Sequence, residues 1–449
     1  MTTFDDVLPS AIGTLAATAD IATLETIVVV RDVTGCVRLV VHPRPTGASP
    51  DFDSLQGRMA KALGGYFKPP IFSTAMQGER GRLARTVLER SLPWPDGWPT
   101  QYTDPVTNGT VSLPAECLRA VQRVLSKEVW LSRSAGPPWP LAPGKTPRVI
   151  SFYSFKGGVG RSTIVGLVAR RLARAGHRVT VLDLDLEAPG ASVLLDAMTP
   201  RGQGILDFVV DHIATGSAEL TDLHAPPQAL PPEESRRVEV FPAGRLDWGY
   251  LEKLGRLDFA SGDADTNQES PVETALRSLL KLVRDRLSPD FILIDSRAGL
   301  HDLAGLSLHA LSHVDVLVSR GGPQAMAGLR LTIEALARRR KITDWSCIVV
   351  HTFVPTPIEG AVAKAERDEF KEQVYSFFEE HIYARGTEDT PDREDPTAWH
   401  FPMIVPELTE LARARTIRDI PESVVDSEAF TRLTDHLIEL CEPDEDEEA

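Results

Sequence analysis

The stretch Lys156-Gly157-Gly158-Val159-Gly160-Arg161-Ser162-Thr163 constrains the fold of this chain more than any other. It follows the apolar run 148–154 and precedes 162–175, where Ile164, Leu167, Val168, Leu172 and Ala175 recur on one helical face before Gly176 stops the helix. A glycine turn between a buried strand and an amphipathic helix lets successive backbone N–H groups surround phosphate oxygens, and the helix N-terminus adds a favourable field. A tight turn that merely tolerates glycine has no need of Lys156, Arg161 and Ser162 beside it. Ser162 offers a hydroxyl for Mg²⁺, while Thr163 serves equally as an early-helix residue.

The surrounding pattern is regular. Strands are expected at 178–183, 237–242, 290–295, 314–319 and 346–352, and helices at 204–214, 273–287, 301–312, 324–338 and 360–380. This alternation predicts an α/β fold with a mostly parallel sheet sandwiched by helices. Residues 217–235 and 259–271 are polar, proline-containing or acidic and read as surface loops. Asp183 and Asp185 stand two apart at a strand end, so they share an orientation if the chain stays extended. Asp295 closes the apolar run Phe291-Ile292-Leu293-Ile294, at the sheet edge where ligands of parallel sheets collect, and is placed to hold Mg²⁺ through water or through Ser162. Glu187 is a weaker candidate, because Pro189 and Gly190 imply a turn that carries it away.

A chain of 449 residues is too long for one ordinary core, so a separate, smaller N-terminal domain is expected over 1–135, of α+β type. There, 24–30 and 37–42 read as a hairpin, 53–64 as a helix, the following stretch with Pro69, Pro70, Pro93, Pro95 and Pro99 as loops, and Pro114 to Leu125 as a helix with Leu118, Val121 and Leu125 on one face. The proline-rich segment 136–147 reads as a linker, 148–441 as the phosphate-binding domain, and 442–449, with six acids in eight residues, as a disordered acidic tail. The net charge of −16 speaks against a mainly nucleic-acid-binding surface. Cys36, Cys117, Cys347 and Cys441 are far apart and form no CxxC pair, no signal-peptide pattern opens the chain, and no apolar run approaches the roughly 20 residues that span a bilayer. These features point to a cytoplasmic protein without stable membrane insertion.

The loop resembles the deviant Walker A motif of the ParA/MinD family of P-loop ATPases, in its arginine-variant form. The family's signature lysine near the loop start is matched by Lys156; Arg161 stands where a second lysine is usual. The resemblance runs from 147 to 441, two thirds of the chain, and does not extend to residues 1 to 140. It implies ATP and Mg²⁺ as cofactors, with Lys156 acting on phosphate oxygens, often across an ATP-sandwiched homodimer. It further implies that Asp185 positions water and Asp183 supports the Mg²⁺ environment, as in the family's switch I. Asp295-Ser296-Arg297-Ala298-Gly299 is similar to Walker B and switch II, with Arg297 in place of a proline. That arginine either brings positive charge near phosphate or pairs with an acid elsewhere. Val238 to Gly244 resembles the family's strand ending in Pro-Ala-Gly, and Ile404-Val405-Pro406-Glu407-Leu408 the segment whose loop, with Pro406, approaches adenine. His351-Thr352 ends a strand where relatives often put a polar residue near the base.

The implied function is an ATP- and Mg²⁺-dependent molecular switch that couples nucleotide binding, with hydrolysis slowed by Arg161, to homodimerisation and to a protein partner bound through the N-terminal domain or the switch surface. Arginine keeps the positive charge but replaces a compact ammonium with a planar fork, so binding survives changes that hydrolysis does not. Two alternatives stand beside it. A DNA-partitioning ATPase would use Arg338, Arg339, Arg340 and Lys341 or Arg413, Arg415 and Arg418, although an exposed helix end explains the first run better. A nonhydrolysing nucleotide-bound scaffold would keep affinity without phosphate release.

Overall fold

Apolar runs in this chain fold as strands buried between two layers of helices. The computed structural model describes residues 3–45, 51–95, 97–103, 109–124, 126–131, 136–141, 146–259, 269–339, 345–383 and 390–440. These form two units, one ending at Ser126 and the other beginning at Lys127.

The first unit is a five-stranded mixed sheet. Strands β1 (Leu24–Arg31) and β2 (Val37–Pro43) form the expected antiparallel hairpin, followed by β3 (Phe72–Ser73), β4 (Leu92–Pro93), a separate two-stranded ribbon of β5 (Gln101–Thr103) and β6 (Thr110–Ser112), and β7 (Leu118–Gln122). The order is β3-β2-β1-β7-β4, with β7 parallel to β1 and β4 antiparallel to β7. Helices Phe4–Ala16 and Phe52–Leu63 cover one face, where Ile12 and Met59 meet Val29 and Leu39. Helix Gly78–Arg90 covers the other through Ala84, against Val28, Val40 and Val121.

Two expectations fail here. Residues 118–122 are a central strand, preceded by a single 3-10 turn, rather than part of a helix from Pro114. Leu118 and Val121 mimic helical spacing because the strand is covered on both faces, so apolar residues fall on adjacent as well as alternate positions. Helix Gly78–Arg90 lies inside the stretch read as loops. Its six charged residues leave a narrow apolar stripe that gives little periodic signal.

In the second unit β8 (Arg148–Tyr153), β9 (Val179–Asp183), β10 (Val238–Phe241), β11 (Phe291–Asp295), β12 (Val314–Ser319), β13 (Ser346–Val354) and β14 (Met403–Pro406) form a seven-stranded sheet in the order β10-β9-β11-β8-β12-β13-β14. Every neighbouring pair is parallel. Alternate residues of β8 serve opposite layers. Ile150 and Phe152 pack under helices Arg161–Arg174 and Glu428–Glu439, whereas Val149 and Tyr153 face helices Pro271–Leu287, Asp302–His309 and Pro323–Arg339. The apolar stripe of the last helix, Phe430, Leu433 and Leu437, is thus core. Helix Pro271–Leu287 shows how sharply the sequence sets an end: Pro271 occupies its first turn and Ser270 Oγ accepts from the Glu273 amide at 3.1 Å.

The segment read as a linker is docked. Trp139 is buried, its indole N–H donates to the Pro147 carbonyl at 3.1 Å, and its own carbonyl lies 3.0 Å from Nε2 of His313. Prolines exclude a helix or strand at 136–141, but they do not prevent a large apolar side chain from burying itself. The boundary between the units accordingly falls before Lys127 and not after residue 135. The acidic tail and most of the loop 259–271 lie outside the described residues, as do Arg340, Lys341 and Cys441; Arg338 pairs with Glu334 at 2.6 Å. No helix among the described residues is long and apolar enough to cross a membrane.

Candidate functional site: a phosphate loop facing three carboxylates

The carboxyl ends of β8, β9 and β11 lie side by side because the three strands are adjacent and parallel. From β8 the chain turns through the glycine loop into helix Arg161–Arg174. Val159 is buried and pins the loop to the core, while Gly158 and Gly160 adopt φ of +73° and +85°, a region in which a side chain would be strained. A Cβ added at Gly157 or Gly158 would meet nothing within 4 Å. The loop backbone is therefore exposed and unobstructed at Gly157 and Gly158, beside a helix N-terminus whose first turn carries no acid, an arrangement that favours an anion. At the loop's start, Phe155 packs so closely on Gly328 that a Cβ there would lie 2.0 Å from its ring.

Arg161 is turned toward the carboxylates. Its side chain is 8% exposed and bridges two acids, Nε to Asp295 Oδ1 at 2.6 Å and Nη2 to Asp185 Oδ2 at 3.0 Å. Burial works against its charge, but Asp295 and Asp185 outweigh burial and hold its pKa above the ordinary value. Arg297 resolves toward the site: Nη1 lies 3.4 Å from Asp185 Oδ1 and Nη2 lies 2.7 Å from Glu187. Glu187 is carried to the rim, where it also meets His301 at 3.3 Å.

Asp183 is held differently. Its Oδ2 accepts from the Ser192 amide at 2.9 Å and from the Ser192 hydroxyl at 2.6 Å, and its buried Oδ1 has no hydrogen-bond partner among the described residues. Burial, reinforced by the charge of Asp295, pushes its pKa up to about 7. Asp295 accepts from the Ala191 amide at 3.2 Å through Oδ2. Gly190 lets Ser162 approach, since a Cβ there would stand 2.5 Å from Ser162 Oγ and 3.5 Å from Asp295 Oδ2. The turn residues Gly190, Ala191 and Ser192 are thus part of the site, and Pro189-Gly190 was their only sequence signal.

Beside the loop an apolar cleft is lined by Val159, Thr163, Thr352, Phe353, Pro406 and Leu408, among others. Thr163 and Pro406 meet in this cleft. His351 does not: it is fully buried on the opposite face of β13, stacked on Phe370 with ring centroids 3.8 Å apart, and burial pushes its pKa down to about 4. Neighbouring strand residues face opposite ways, so only Thr352 of that pair reaches the cleft. Phe353 was missed. It sits where the β13–β14 register shifts, at a φ of +59°, a bulge that re-aims a side chain at the cleft and leaves no trace in composition. Lys156 is exposed and makes no hydrogen bond or ion pair among the described residues.

Comparison with known proteins places these features. Residues 145–221 match the ParA family model described as NUBPL iron-transfer P-loop NTPase. The chain is similar to an iron-sulfur cluster carrier protein of Clostridium perfringens, 27% identical over 41% of this chain and 56% of that one. It is also similar to the carbon monoxide dehydrogenase accessory protein CooC of Rhodospirillum rubrum, 28% identical over 41% of this chain and 66% of that one. The matches thus span between about half and two thirds of those relatives. Among solved structures, the septum site-determining protein MinD of Pyrococcus horikoshii complexed with Mg-ADP aligns over 66% of this chain and 97% of its own, at 20% identity and a TM-score of 0.41. The glycine loop and the seven-stranded parallel sheet with helices on both faces agree with the match of residues 145–221 to the ParA family of P-loop NTPases.

Proposed function

We propose that this protein is an ATP-dependent molecular switch, in which nucleotide binding drives homodimerisation and the binding of a protein partner, and slow hydrolysis reverses them. The observation that carries the reading is the unobstructed loop backbone at Gly157 and Gly158, set at an acid-free helix N-terminus and beside an apolar cleft. Backbone amides of the loop would take the phosphates, and Thr163, Phe353 and Pro406 would flank the base. Mg²⁺ fits at the Ser162 hydroxyl, with Asp295 behind it and the unpartnered Oδ1 of Asp183 as a further acceptor. Its chemistry there would be to neutralise phosphate charge. Lys156, exposed and unpaired among the described residues, is free to meet phosphate oxygens of its own or a second copy.

The slowness follows from Asp185. To orient water, this carboxylate needs an open oxygen, yet Oδ2 is engaged by Arg161 and Oδ1 faces Arg297. A wide planar guanidinium holds both Asp185 and Asp295 in a fixed fork, a geometry that a compact lysine ammonium does not reproduce. This same bridge favours the second reading, a nucleotide-bound scaffold that does not turn over. Transport of an iron-sulfur cluster, which the names of relatives describe, would treat the cluster as cargo on paired thiolates. Among the described residues Cys36 and Cys347 are each buried and Cys117 is half-buried, and that activity is not carried over.

Light scattering and phosphate release with ADP, ATP and a nonhydrolysable ATP analogue test the proposal together. The expected result is a larger species preferentially with the analogue and slow release with ATP. Release at zero beside retained affinity selects the scaffold, and an unchanged mass with intact affinity removes the dimer. Calorimetry on folded Lys156→Ala and Asp295→Ala variants should show weaker ATP binding than wild type; equal binding would dismiss the site.

A further inference from the structure

The residues that begin the second unit are fastened to the segment following Asp295. Lys127 stands at a φ of +65°, uncommon for a residue with a side chain, and spends both of its donors on Asp302: the amide reaches Oδ1 at 2.6 Å and Nζ reaches Oδ2 at 3.0 Å. Asp302 opens helix Asp302–His309, and its side chain is only 9% exposed. One turn on, Trp130 is buried and its indole N–H donates to the His301 carbonyl at 2.8 Å. Helix Asp302–His309 is shaped for this contact. A Cβ at Gly305 would lie 2.5 Å from Val129 and 2.8 Å from Trp130 Nε1.

The segment held in this way is also tied to the phosphate site. Gly299, at a φ of +75°, donates its amide to the Ser154 carbonyl at 3.0 Å, at the root of the glycine loop. His301 meets Glu187, Glu187 meets Arg297, and Arg297 meets Asp185. Trp130 further lies against Tyr153, the last residue of β8, with centroids 6.1 Å apart. A contiguous set of polar and packing contacts therefore runs from Asp185 to Lys127, and Lys127 directly follows the last residue of the first unit.

We propose that Lys127 and Trp130 form a coupling strap, which hands any nucleotide-driven movement of residues 296–302 to the chain entering from the first unit. The inference rests on the nucleotide-switch reading above. A strap that only added stability would hold 127–131 equally firmly in all nucleotide states. A coupling strap must differ between them, because a ligand shifts an equilibrium only through states it binds differently.

Hydrogen exchange on the full chain separates these cases, with calorimetry on the same samples to establish that the nonhydrolysable ATP analogue binds. In wild type the analogue should change exchange in 127–131 and 299–305 together, by at least about threefold. Trp130→Phe keeps a ring but loses the indole donor, and Lys127→Met keeps the stem and amide but loses the ammonium. Both should leave the response of 299–305 in place while that of 127–131 fades. If the analogue binds wild type and 127–131 exchanges at one rate in every state, the coupling is overturned while the nucleotide reading stands. If the analogue does not bind at all, both fall. Should a variant fail to fold, the wild-type comparison decides alone.

Discussion

Each of the two units places an apolar sheet between helices, and in each an arginine on or near that sheet is engaged by hydrogen bonds. In the second unit β9, β11 and β8 run side by side in one direction, so the glycine loop, Asp183, Asp185 and Asp295 all emerge at the same edge. In the first unit β2 and β4 oppose β1 and β7, and the strand ends are scattered to both edges. Burial stabilises both sheets in the same way. Parallel order, together with a turn that leaves backbone amides open, gathers chemistry in only one of them.

The sharpest way to break this contrast is to remove Arg161. Arg161→Ala leaves Asp295 fully buried and Asp185 nearly so without their shared cation, and removing one partner of a buried pair costs about 3–5 kcal/mol. Urea unfolding of the second unit should show a loss of that order, together with weaker ATP binding by calorimetry. A variant as stable as wild type would mean that the bridge does not hold the site together.

That pair also marks the limit of what the sequence discloses. The strands of the second unit and its long helices were legible because each is a long, strongly periodic or fully apolar run with a clear stop, such as Gly176 or Ser270-Pro271. The turn between β8 and the following helix was legible because glycines cluster there between a buried run and an amphipathic one. Side-chain choices among partners were not. Nothing in the order of residues says that Arg161 clasps Asp185 as well as Asp295, that Phe353 bulges into the cleft, or that His351 turns away. In the first unit short strands covered on both faces lose the alternation that reveals them, which is why 118–122 looked helical.

A second test strikes the core of the first unit. Met59 is fully buried beneath β1 and β2, and truncating such a side chain costs about 2–5 kcal/mol. Met59→Ala should lower the unfolding temperature of the first unit in a calorimetric scan, while the transition that ATP raises stays where it was. Equal shifts of both transitions would show that the units unfold as one.

Asp183 supplies a pH signature for the second unit. Its folded pKa, about 7, lies above the ordinary value of 3.8. A raised carboxyl favours the protonated form of the fold, so its contribution is complete below about pH 4 and is lost as pH rises through 7, at no more than about 1.4 kcal/mol per pH unit. Asp183→Asn, neutral throughout, should flatten the stability of the second unit between pH 5 and 8 relative to wild type. Parallel pH curves for the two proteins would place the ionised form of Asp183 in the fold already at pH 5.

The smallest effect is expected at Arg119, the arginine of β7 that offers the fairest counterpart to Arg161. It lies opposite Pro93 in the β4–β7 ladder, and proline brings no N–H to that pairing. The guanidinium makes up the loss from the side, donating Nε to the Ser91 hydroxyl at 2.7 Å and Nη2 to the Ser91 carbonyl. Arg119→Lys keeps the charge but cannot reach both acceptors with one planar fork, so about one net hydrogen bond, or roughly 0.5–1.5 kcal/mol, should be lost from the first unit. ATP affinity should stay within about twofold of wild type, since less than about 0.4 kcal/mol would reach the nucleotide site. A larger change in affinity, measured by calorimetry on the folded variant, would show that the edge of the first sheet bears on the nucleotide site and that the contrast between the units is not one between scaffold and site.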